Sequence, residues 1–292
     1  MSTAASTQDA FAARDWAMLT GVAVTWGASF LLIEIGLEHF SPTLVAFGRI
    51  AFGALALAAL PAARVPIPRE DWSRVGLVGI TWMAIPFMLF AIAQQWIDSS
   101  LAAMINATTP LMAALVATLF VRQPPSRLES TGLLLGFAGV AAISLPSAES
   151  GSNALGIGLV LLAALLYGFA FNLTAPLQRR YGALPVIWWA QLVAVVLTLP
   201  AAVAGVPSSD FDVPSLLAVA ALGALGTGVA FYWFASLLGS VGATRGSITI
   251  YFVPVVAITL GVTLRDEPLH AAALLGTLLV LAGAYLTSRR PG

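Results

Sequence analysis

Ten apolar stretches fill this chain almost end to end, each about the length that crosses a bilayer. They run at about 16–37, 42–61, 75–96, 100–121, 129–146, 154–176, 184–204, 214–238, 243–264 and 270–288. A spanning helix needs roughly 20 such residues. The loops between them are short and hold turn chemistry, as in "RVPIPRED", "RQPPSR", "PSAESGSN", "GVPSSDFD" and "RDEP". Composition agrees, with 59% apolar and 9% charged residues, where soluble domains carry about 25% charged. The first run begins near Trp16, has no basic leader and is too long for a signal-peptide core, so it is expected to remain as a helix. The expected fold class is therefore an all-α integral membrane protein with ten transmembrane helices and the lipid bilayer as its surroundings.

Every basic residue is an arginine. With the N-terminus inside, the inner face holds Arg14, Arg64, Arg69, Arg74, Arg122, Arg127, Arg179, Arg180, Arg245, Arg289 and Arg290. The outer face then holds only Arg265, and Arg49 lies within a span. That asymmetry follows the positive-inside rule and puts both termini in the cytoplasm, with residues 1–15 as a cytoplasmic tail. A net charge of zero gives no reason to expect a nucleic-acid partner. Cysteine is absent, which removes disulfides, thiolate metal sites and cysteine nucleophiles.

The chain also repeats itself. A shift of 144 residues places Pro110 on Pro254, Pro124 on Pro268, Gly132 on Gly276, Gly139 on Gly283 and Ser144 on Ser288. "TWGASF" (25–30) meets "LYGFAF" (166–171) at a shift of 141, and a shift of 142 sets Pro86 opposite Gly228. Residues 16–146 and 154–288 then form two five-helix units. Five is odd, so the second unit enters the membrane inverted, the arrangement of secondary transporters whose substrate sits near the midplane between the halves.

"TWGASFLLIEIGLEHFSPTLVAFGRIAFGALAL", together with the fourth–fifth and ninth–tenth hairpins, resembles EamA-type members of the drug/metabolite transporter superfamily. The matching elements are Trp26–Gly27, Arg49, Pro110, Pro254, Glu267–Pro268 and the repeated glycines. The ten-helix form is similar to the YddG-type exporters of amino acids, aromatic ones included. The resemblance implies export of a small-molecule substrate across a bacterial cytoplasmic (inner) membrane, without a cofactor and as a functional monomer. One departure is Gln123 in the first half where the second has Glu267.

Proline in a helix removes one N–H and frees the carbonyl four residues back. Pro86, Pro110, Gly228 and Pro254 are therefore expected as helix breaks, freeing the carbonyls of Trp82, Asn106 and Ile250. Irregular backbone at membrane depth survives only against protein or a watery cavity. Helical spacing groups polar and aromatic residues on the same faces: Trp26, Ser29 and Ile33; Asn106 and Thr109; Tyr167 and Phe171; Thr227, Phe231 and Phe234; Ser247 and Tyr251. With Trp82, these stripes form an expected substrate pocket of freed carbonyls, hydroxyls and aromatic walls. The bland alternative is that the same residues pack helices or sit in interfacial belts.

Arg49 and Glu34 both lie inside the membrane, Arg49 roughly 10 Å deep. An ion pair between them is expected, with two alternatives for Arg49: hydrogen bonds to loose carbonyls, or a substrate carboxylate. No other cation enters a span, so sugar phosphates and nucleotide sugars lack a cradle. The cavity stripes carry no Asp, Glu or His, which favours facilitated transport over proton coupling. Gly132 and Gly136 are expected to pack the fifth span tightly against a neighbour. A membrane enzyme would need metal-binding acids or a nucleophile with its base. His39 and His270 stand alone in sequence, and "DFD" (210–212) and "DE" (266–267) have no ligand partners. A channel, or an exporter of other hydrophobic metabolites or drugs, remains open. Alkaline phosphatase fused after Gly292 should stay inactive, and fused after Asp212 should be active; the reverse pattern would overturn the orientation.

Overall fold

The computed structural model describes residues 12–121, 127–148, 154–241 and 248–288. Gln123, Pro124, Ser247 and the arginines at 122, 245, 289 and 290 lie outside them. The described residues form ten helical rods and no strand. These are α1 (Ala13–Leu37), α2 (Pro42–Ala58), α3 (Trp72–Val78, Gly79–Ala84 and Ile85–Ala93), α4 (Ser99–Asn106 and Thr109–Val121) and α5 (Arg127–Ala148). The second half supplies α6 (Ala154–Tyr181), α7 (Ala183–Gly205), α8 (Val213–Gly223, Ala224–Val229 and Ala230–Val241), α9 (Ile248–Arg265) and α10 (Ala271–Ser288). Six are long and apolar enough to cross a membrane, and the four shorter ones are apolar too. The protein is inside out relative to a soluble one. Leu55, Leu134, Val196 and Leu278 are exposed, while Gln191 and Thr227 are fully buried. Helices in lipid gain little from burying leucine and associate through close packing and polar contacts instead.

The repeated glycines mark where backbones touch. A methyl group at Gly139 would sit 2.6 Å from the Gly276 carbonyl oxygen, and one at Gly276 would sit 2.6 Å from that of Gly139. Gly283 lies equally close to the Gly132 carbonyl, at 2.5 Å. The neighbour of α5 is thus α10, its own repeat partner. Gly27 packs α1 onto Val256 of α9, and Gly168 packs α6 onto Met112 of α4. Each Gly follows an aromatic residue, Trp26 or Tyr167, so one dipeptide both docks a helix and positions a ring.

Helices α3 and α8 each contain a six-residue π-helical segment, Gly79–Ala84 and Ala224–Val229, offset by 145 residues. Extra-wide turns of this kind are rare and concentrate at functional sites. The expected pairing of Pro86 with Gly228 is corrected accordingly. Gly228 lies inside its π segment, whereas Pro86 follows its own, in the first turn of Ile85–Ala93.

The two prolines at 110 and 254 also behave differently. Helix α4 is interrupted at Ala107–Thr108, immediately ahead of Pro110. Helix α9 runs uninterrupted through Pro254, so the expected break there is absent. Hydroxyls explain the difference. Thr108 Oγ1 donates to the Ile105 carbonyl at 2.7 Å and Thr109 Oγ1 to that of Asn106 at 2.7 Å, which satisfies the broken turn. The corresponding residues in α9 are Phe252 and Val253, which offer no hydrogen bond. A bilayer-embedded helix without such donors keeps its remaining backbone bonds.

Charged groups fasten the two ends. Glu267, buried in the α9–α10 loop, accepts from the backbone N–H groups of Ser99 and Ser100, each at 2.9 Å, and from the Ser99 hydroxyl. A carboxylate at a helix N-terminus meets orphan donors and the positive end of the helix dipole. At the opposite end, Asp71 receives hydrogen bonds from Tyr181 (2.6 Å), Arg180 (3.0 Å) and Arg74 (3.1 Å), joining the start of α3 to the end of α6.

Gly276→Leu should force α5 and α10 apart and lower stability by about 1–3 kcal/mol, the usual cost of overpacking. Thermal unfolding of purified protein would read this, and an unchanged midpoint would contradict the crossing. Glu267→Gln should lower stability by about 1.5–3 kcal/mol, the scale of a hydrogen bond to a charged group. Equal midpoints for Gln and Glu would show that the charge on the cap is immaterial.

Candidate functional site

A cavity of about 100 Å³ opens between the two halves, lined from α1, α2, α3, α4, α6, α8 and α9. Eight of the ten expected contact residues line it: Trp26, Ser29, Trp82, Asn106, Thr109, Tyr167, Phe171 and Phe231. Tyr251 does not; it packs against the apolar cluster around Val253 and Ala257. Ser247 lies outside the described residues. Pro254 lines the cavity, whereas Pro86, Pro110 and Gly228 do not.

The walls are a continuous run of rings. Phe234, Trp26, Phe231, Trp82, Phe171, Tyr167, Phe90 and Phe30 follow one another, each centroid between 4.9 and 6.2 Å from the next. Most contacts are edge-on or tilted, the arrangement that ring quadrupoles favour. Phe30, Phe87 and Phe90 line the cavity without having been expected there. Phe30 follows Trp26 by four residues, a helical spacing that sequence could have exposed. Phe87 follows Trp82 by five, and the π segment between brings both to the cavity. An α-helical period of 3.6 cannot anticipate that registration.

Polar contacts hold the α8 π segment from three other helices. Trp26 Nε1 donates to the Gly226 carbonyl at 3.0 Å, and Gln191 Nε2 to that of Thr227 at 3.3 Å. Arg49 Nε donates to the Thr227 hydroxyl at 3.0 Å, and that hydroxyl passes a hydrogen bond on to the Leu222 carbonyl at 3.3 Å. The Asn106 carbonyl, expected to stand free, is taken by Thr109. A second acceptor of the same residue, Asn106 Oδ1, also lies within reach of that hydroxyl at 3.2 Å.

The expected ion pair between Glu34 and Arg49 is not formed. Glu34 faces Arg265 at 3.5 Å, and Arg265 also contacts Glu38. Glu34 stands one turn from Glu38 on α1, so the arginine at the end of α9 bridges both, whereas Arg49 turns inward to α8. The Arg49 guanidinium carbon lies 3.8 Å from the centroid of the Phe87 ring. Among the described residues that line the cavity, Arg49 is the one charged side chain. Among the described residues no cluster of three or more His, Asp or Glu has the geometry to hold a metal ion.

Comparison with known proteins adds identity to this geometry. The model of the EamA-like transporter family matches residues 16–145 and again 154–289. A protein of Streptantibioticus cattleyicolor named "Probable terminal-alkyne amino-acid exporter" is 27% identical over 94% of this chain and 93% of its own. The inner membrane transporter YedA of Escherichia coli K12 is 28% identical over 92% of this chain and 90% of its own. An Archaeoglobus fulgidus protein named as a transporter is 23% identical over 95% of this chain and 99% of its own. A solved crystal structure superimposes with a TM-score of 0.65 at 18% identity, covering 94% of this chain and 96% of that one, a likeness of fold. Two tandem matches that together span nearly the whole sequence, on ten apolar helices arranged as an inverted pair, establish that the chain belongs to the EamA-like transporter family.

Proposed function

We propose that this protein is a secondary transporter of the bacterial cytoplasmic membrane that exports small neutral or zwitterionic metabolites, amino acids foremost and aromatic ones among them. It works by alternating access around the central cavity, as a monomer with both termini in the cytoplasm. The observation that carries the substrate class is the run of eight rings around a hollow whose described lining contains no carboxylate. Aromatic walls bind apolar side chains and, through their faces, ammonium groups. Asn106 and Thr109 supply the neutral polar contacts. The amino-acid exporter named among the relatives supports the same class at 27% identity. Among the described residues no Asp, Glu or His lines the cavity, which supports facilitated transport down the substrate gradient.

Counterflow in proteoliposomes tests this reading. Preloaded unlabelled phenylalanine or leucine should drive transient accumulation of the labelled amino acid, saturably and independently of an imposed pH gradient. Trp82→Ala should raise the half-saturating concentration at least several-fold, since stacking on a ring is worth about 0.5–1.5 kcal/mol beyond area burial. Flux that never saturates would identify a channel, and accumulation only with a proton gradient would remove the facilitated mechanism.

A further inference from the structure

We infer that Arg49 is the anion-recognition point of this cavity, and that it selects small apolar molecules bearing a carboxylate, with the amino group dispensable. The inference rests on the cavity being the transport site. Arg49 is buried to 8% exposure, and among the described residues only its Nε has an acceptor, Thr227. The Phe87 ring centroid lies 3.8 Å from the Arg49 Cζ, and the remaining donors of the guanidinium are those on Nη1 and Nη2. Neither of these nitrogens has a hydrogen-bond acceptor or an ion-pair partner among the described residues, although the residue lines the cavity. A buried guanidinium is costly unless its donors are met, and its planar fork matches a carboxylate with two parallel hydrogen bonds. The acids of α1 and of the α9–α10 loop make their contacts elsewhere: Glu34 with Arg265, and Glu267 with Ser99 and Ser100.

Among the described residues, the lining therefore carries one positive charge and no negative one. An amine without an acid group meets a like charge there; a carboxylate completes the unpaired fork. The apolar remainder of the ligand then lies among Trp82, Phe171 and Phe231, whose rings contact one another beside it. The competing role for Arg49 is purely structural, a brace that holds Thr227 and the π segment of α8. The two roles differ in what they predict for ligands that differ only in charge.

Four probes separate them: L-phenylalanine, 3-phenylpropionate, L-phenylalaninamide and 2-phenylethylamine, titrated calorimetrically into the purified full-length protein at neutral pH. The two carboxylates should bind at least tenfold more tightly than the amide or the amine. Arg49→Gln should weaken only the carboxylates, by about 10- to 100-fold, the range of a hydrogen bond to a charged group. Arg49→Lys, which keeps the charge but not the fork, should fall between. Should Arg49→Gln fail to fold, the ranking of the four probes on the native protein still decides the matter. Equal binding of phenylalanine and its amide would overturn the anion site and leave the amino-acid reading standing. Binding of phenylpropionate without phenylalanine would do the opposite, and uniform weakening of all ligands by Arg49→Gln would assign the residue to bracing. Binding of none of the four would overturn both.

Discussion

Gly79 lies against the carbonyl oxygen of Ala190, and Gly223 against that of Arg49. These two contacts, between the third helix of each half and the second helix of the other, are the constraint on which the rest of the architecture depends. An added Cβ would approach the oxygen to 2.5 Å in the first case and 2.6 Å in the second, too close without backbone displacement. Both π segments start at or beside these glycines. The wide turns and the interlock are therefore a single feature. Once each half is docked on the other this way, the faces of α3 and α8 turn their aromatic residues toward a shared centre, and the ring of side chains around the cavity follows.

Much of this was legible from the residues alone because it obeys two simple periods. Helical spacing aligned Trp26 with Ser29 and Ile33, and Phe231 with Phe234, and those residues line the cavity. The 144-residue shift matched Gly139 with Gly283 and Gly132 with Gly276, and their helices do cross. What escaped was whatever depends on hydrogen bonds between distant segments. Arg49 and Glu34 looked like partners because they sit at similar depth on adjacent helices, yet each finds its contact on another helix. The π segments were invisible for a related reason: a wide turn changes backbone bonding without disturbing apolar content.

The contrast between Pro110 and Pro254 shows how an exact repeat can still diverge in conformation. "NATTP" (106–110) carries two threonines that absorb the carbonyls released at the interruption, whereas "IYFVP" (250–254) carries none. Phe252 instead points outward and is exposed. One member of the pair can open a turn toward the cavity; the other remains a rod that contributes Val253 and Pro254 to its wall. Proline position alone, without its neighbours, does not specify a helix break.

The carboxylate of Glu267 makes the two halves of the duplicated scaffold chemically unlike. Its counterpart by the repeat is the neutral Gln123, so the acid that meets the backbone N–H groups of Ser99 and Ser100 is not duplicated in the sequence. The two closing hairpins, alike in their crossing glycines, are thus unequal in charge. A duplication that copied the helices did not copy this acid, and exchanging the two halves would not return the same molecule.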